Sequence, residues 1–90
     1  MRSLSKIGKQ KEADLSERIR SSASEAIEKS DLSEILELMG AGGSKETDAA
    51  LKIIMADKLS QYAIKSRRIA QKRGRKISPS AVILAAEEVA

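Results

Sequence analysis

Eight cations fall between residues 58 and 76 of this chain: Lys58, Lys65, Arg67, Arg68, Lys72, Arg73, Arg75 and Lys76, with no acid among them. Such a run repels itself and destabilises a compact state unless something negative joins it. A helix dipole favours cations only in the last turn of a helix, whereas this run spans about five turns at 3.6 residues each. The chemistry it suits is polyanion binding, with Lys and Arg meeting phosphate by charge and without reading bases. The acids lie elsewhere. Residues 31–57 carry Asp31, Glu34, Glu37, Glu46, Asp48 and Asp57 against Lys45 and Lys52. The net charge of +4 over 90 residues therefore understates how far the two signs are segregated.

Other chemistries lack their residues. There is no His and no Cys, so no nucleophile–base pair and no thiolate or imidazole metal site can be assembled. Glu34 and Glu37, one turn apart, would need further ligands to hold a metal. Gly40-Ala41-Gly42-Gly43 is not followed by Lys-Ser/Thr, and so is read as a helix stop and not as a phosphate loop. Tyr62 is the only aromatic residue, which removes a base-stacking platform and points to a core or interface position with the hydroxyl at its rim. The expectation is no enzyme, no cofactor, no metal and no small-molecule substrate. No run approaches the ~18 apolar residues of a membrane span. The basic residues 1–11 precede no apolar segment of the kind a signal peptide has, so the chain is expected to stay where it is made.

Four helices, with no strand between them, would position the cations. Residues 1–11 read as a flexible basic tail. An accessory helix over 12–30 carries a thin stripe of Leu15, Ile19, Ala23 and Ile27. A short helix over Leu32–Met39, capped by Ser30 or Asp31, presents Leu32, Ile35, Leu36 and Met39. The long helix starts at Ser44 or Thr47 and ends at Gly74. Its first half is apolar nearly all round, with Ala49, Ala50, Leu51, Ile53, Ile54, Met55, Ala56 and Leu59, so it is expected to be buried on several sides. The last helix opens at Ser78-Pro79 and offers Val82, Ile83, Ala86 and Val89 as its inner face. A chain this small and poor in rings is a marginal monomer, which suggests an oligomer.

The order of short helix, glycine-containing loop, long helix, basic Gly74-Arg75-Lys76 loop and capped short helix resembles the histone fold, especially archaeal histones, over residues 31–90. Its most specific part is Ile69-Ala70-Gln71-Lys72-Arg73-Gly74-Arg75-Lys76-Ile77 followed by Ser78-Pro79. The resemblance implies an all-α handshake dimer, preceded here by the additional N-terminal helix. The two long helices would cross, and the first loop of each chain would lie beside the second loop of the other. It further implies double-stranded DNA as partner, contacted through Lys45, Arg67, Arg68, Lys72, Arg73, Arg75 and Lys76. The dimer, homo- or heteromeric, would bury Ile53, Ile54, Met55, Leu59 and Tyr62. The function implied is that of a cytoplasmic, nucleoid-associated architectural protein without sequence preference. The alternative is a histone-fold interaction module, a scaffold or transcription-factor subunit with weak or no DNA binding, docking through the N-terminal helix or the acidic short helix.

Overall fold

The computed structural model describes residues 2–89, with side chains from residue 13 onward. Met1, Ala90 and the cationic side chains expected in the tail lie outside the described residues. The elements are α1 (Arg2–Glu28), α2 (Ser33–Leu38), α3 (Lys45–Arg73) and α4 (Pro79–Val89). Among the described residues there is no strand, so the chain is all-α. The close helix pairings are α1 with α3 and α3 with α4.

Local chemistry sets the ends of α3. Ser44 Oγ accepts from the Thr47 N–H at 3.2 Å and donates to Thr47 Oγ1 at 2.9 Å, an N-cap that satisfies one of the orphan donors of the first turn. Glu46 and Asp48 stand in that turn, and Lys72 and Arg73 in the last, the polarity the dipole favours. Gly74 closes the helix at φ +62°, a left-handed conformation in which a Cβ would crowd the backbone. The Gly74 and Arg75 N–H groups then reach Gln71 O at 3.1 Å and Ala70 O at 3.0 Å. The 29 residues make a rod of about 43 Å at ~1.5 Å per residue.

Three expectations are corrected. The segment read as a tail is helical: α1 begins at Arg2, well ahead of the expected start near residue 12. Extending an existing helix costs no new nucleation, and Lys, Arg and Gln are good helix formers that outweigh one interior glycine, Gly8. The short helix α2 has Leu32 at its N-cap with no side-chain cap bond. Asp31 Oδ1 instead accepts from the Ser33 N–H at 3.0 Å and from the Ser33 hydroxyl. Of the expected α2 face, only Leu32 and Leu36 are buried, while Ile35 and Met39 are exposed, as is Leu38 beside them. The stripe turned inward is the i, i+4 pair, too narrow to take in the i+3 neighbours on so short a helix.

The third correction concerns α4. Its inner face is Ala81 and Ala85, packed with Ile69 of α3 and flanked by Leu84, while Val82 and Ile83 face outward. Alanines at i and i+4 let two helix axes approach closely, which the bulkier stripe would prevent. Beside this contact on α3 sits the buried Ser66, whose hydroxyl donates to Tyr62 O at 2.6 Å. Ser60, also buried, donates to Ala56 O at 2.7 Å, so both small polar groups are satisfied within the helix.

The accessory helix α1 lies along α3. Its stripe of Leu15, Ile19, Ala23 and Ala26 shares a groove with Leu59 and Ala63. At its C-terminal end Lys52 Nζ donates to Glu28 O at 3.3 Å and pairs with Asp48 at 3.1 Å. The buried hydrophobic residues of the described chain are Ala23, Leu32, Leu36, Ile69, Ala70, Ala81 and Ala85, mostly alanines. The large aliphatics Ile53, Ile54, Val82 and Ile83 stay exposed. Burial energy scales with apolar area, so this chain by itself gains little from the residues best able to supply it.

Candidate polyanion-binding surface

The site is built at the C-terminal end of α3 and the loop that follows. Arg68, Lys72, Arg73, Arg75 and Lys76 are all exposed there. The Gly74 turn brings Arg75 and Lys76 round to continue the cationic end of the helix. Arg67, one turn beyond Ala63, is half-buried and already engaged within the chain. Lys45 is exposed at the first residue of α3, which puts it about 40 Å from Arg73 at ~1.5 Å per residue. Within one chain, then, the loop and helix-end cations are brought together and Lys45 is not.

Lys65, absent from the expected site, belongs to it. Lys65, Arg68, Lys72 and Arg73 rim a cleft of about 350 Å³ between α3 and α4, with Ile69 and Leu84 as its apolar floor. Lys65, Arg68 and Lys72 recur at i, i+3 and i+7, spacing that gives one helix face, and this pattern was available in the sequence. The cleft's acid could not be read from helical spacing. Glu88 Oε2 lies 3.3 Å from Lys65 Nζ and joins α4 to α3.

The aliphatics expected at a dimer interface divide between faces of α3. Met55 and Tyr62 precede Ile69 at seven-residue steps, so they continue the side of α3 that carries α4. Met55 is 37% exposed and Tyr62 half-buried. Leu59, 41% exposed, borders the α1 groove. Ile53 flanks a second groove with Ser24 and Ala49. Ile54 lines neither groove and is 58% exposed.

The clearest perturbed ionisation belongs to Asp31, away from this surface. The Ser33 hydroxyl and N–H, with Lys52 in support, hold its carboxyl below the usual range against a small opposing effect of burial. Among the described residues no helix is long and apolar enough to cross a membrane. The chain matches no protein-family model, no curated protein and no solved structure.

Proposed function

We propose that this chain is a histone-like architectural protein that binds double-stranded DNA through phosphate contacts, without sequence preference, as a head-to-tail dimer. One observation carries the proposal. Arg68, Lys72, Arg73, Arg75 and Lys76 stand exposed together at one end of the longest helix, and among the described residues Glu88 is the only acid lining the adjoining cleft. Like charges so placed gain most from a ligand that carries closely spaced negative charge, and each phosphate neutralised releases counterions. No ring is available there to stack on bases, and backbone contact needs none.

The dimer is supported by what the single chain leaves open. Ile53, Ile54, Met55, Leu59, Val82 and Ile83 remain between 37% and 70% exposed. These residues lie on more than one side of α3, and a second copy crossing its middle would cover those, such as Ile54, that line no groove with α1. A head-to-tail arrangement would also bring Lys45 of each chain to the Arg75–Lys76 loop of the other, uniting cations that one chain keeps at opposite ends.

The test is binding to unrelated duplexes across a salt series. A dimer using three or four cations per chain gives a slope of roughly −5 to −7 in log K against log salt. Arg75→Ala with Lys76→Ala flattens that slope by roughly 3 to 4 units, equally on every duplex, because four charges leave the dimer. Lys45→Ala acts in the same direction and less strongly. Equal affinity of parent and double variant at all salt concentrations would refute the loop as the site.

A second reading has its own observation. On α2 and its C-cap the exposed Ile35, Leu38 and Met39, with Leu38 82% exposed, stand beside Glu34 and Glu37. An acid-flanked apolar face of this kind suits a protein partner. It predicts weak duplex binding even at low salt and no response to the loop variants.

A further inference from the structure

We infer that the cleft between α3 and α4 seats a phosphate group, and that Glu88 is its built-in competitor, holding Lys65 until a phosphate displaces the carboxylate. The inference deepens the polyanion reading and rests on it for the duplex, while the cleft can be probed by itself.

The cleft has the features such a seat needs. Four cations rim it, Lys65, Arg68, Lys72 and Arg73, above an apolar floor of Ile69 and Leu84. A concavity of one sign with low-dielectric walls focuses its field on the space inside. Its volume of about 350 Å³ leaves ample room for a phosphate group. Among the described residues Glu88 is the only anion lining it; it pairs with Lys65 at 3.3 Å, and both side chains keep two-fifths or more of their surface in solvent. A pair that exposed is weakly held. Glu88 stands in the last turn of α4, so its side chain can swing clear without disturbing the Ala81–Ala85 contact one and two turns earlier. A phosphate offers the ammonium the same charge-assisted acceptor as the carboxylate, and has further oxygens for a guanidinium nearby. The chemistry recognised is that of phosphate oxygens in a phosphodiester or a phosphoanhydride chain.

The experiment compares Glu88→Gln with Glu87→Gln, which removes the same charge one residue away from an exposed side chain that does not line the cleft. Each is titrated with inorganic tripolyphosphate by calorimetry and with a duplex by fluorescence anisotropy. Glu88→Gln should bind tripolyphosphate roughly two- to fivefold tighter than the parent, the weight of one exposed ion pair, with a clearly smaller gain for Glu87→Gln. Adding Lys65→Gln to Glu88→Gln should abolish the gain. On the duplex, Glu88→Gln should steepen the salt slope by about two units per dimer, one freed lysine in each chain. Equal behaviour of the two Gln variants, or no tripolyphosphate binding by any form, overturns the inference. If that happens while Arg75→Ala/Lys76→Ala still weakens duplex binding, the DNA reading stands without the cleft. If tripolyphosphate binding responds to Glu88 but duplexes are not bound, the cleft stands and the DNA reading falls.

Discussion

Ile54→Ala tests whether the chain completes its core with a second copy. Ile54 is 58% exposed and lines none of the grooves that α3 forms with α1 or α4. Within a monomer its truncation removes little buried area and should change stability by no more than a typical surface substitution, about ±0.5 kcal/mol. In a dimer that covers it, the loss is different. Fully burying an Ile side chain stabilises by ~1.5–3 kcal/mol, and 58% of that surface still awaits burial. The variant therefore loses ~1–1.75 kcal/mol per chain and ~2–3.5 kcal/mol per symmetric dimer. At ~1.4 kcal/mol per tenfold, the dimer Kd weakens about 30- to 300-fold. Sedimentation equilibrium over a concentration series reads this directly, and light scattering of the parent should give about twice the 9.7 kDa chain mass. Association costs an estimated ~4–15 kcal/mol before any contact is counted, so the gain must come from several such residues and each should be felt. A parent that is a stably folded monomer at micromolar concentration, or an unchanged Kd in Ile54→Ala, refutes the reasoning.

Ala85→Leu overpacks the fully buried contact with Ile69 and should cost about 1–3 kcal/mol; thermal unfolding followed by circular dichroism should show a fall of several degrees per kcal/mol, while Glu87→Gln at an exposed site of the same helix should leave the midpoint nearly unchanged. Gly74→Ala forces an L residue to φ +62° and should destabilise by about 1–2 kcal/mol in chemical denaturation. Asp31→Asn should remove a pH dependence. Because the folded-state pKa of Asp31 is depressed, its stabilising contribution is present above the ordinary value near 3.8 and is lost as pH falls through the lower folded value. The difference between parent and variant in denaturant midpoint should therefore be full at pH 6 and shrink toward pH 3; a constant difference would remove Asp31 as the cause.

The two ends of α3 and the start of α4 were legible because single residues set them. Ser44 followed by Thr47, Gly74, and Ser78-Pro79 each supply or remove a particular backbone partner, and α3 and α4 begin and end at those residues or next to them. The faces were less legible. A hydrophobicity pattern ranks residues by size of apolar surface, so it chose Val82 and Ile83 for the inside of α4, whereas close approach of two helices selects Ala81 and Ala85. The same ranking grouped Ile35 and Met39 with Leu32 and Leu36. The cationic end was visible as a run without acids, and its extension to Lys65 was implicit in helical spacing. Glu88 was not, since its pairing with Lys65 joins residues far apart in the chain and depends on how α4 folds back.

The seat of α1 on α3 has a mechanical consequence. Among the described side chains of α1 only Ala23 is buried, with Leu15, Ile19 and Ile27 half-buried beside it. So thin an apolar contact leaves polar ties a larger share in setting where α1 sits along α3. One such tie is at the C-terminal end of α1, where Lys52 reaches Glu28 O while anchored by Asp48. Lys52 works as a pin through one end of a rod. Withdrawing it would loosen that end of α1 against α3 while the groove holding Leu15 and Ile19 stays filled.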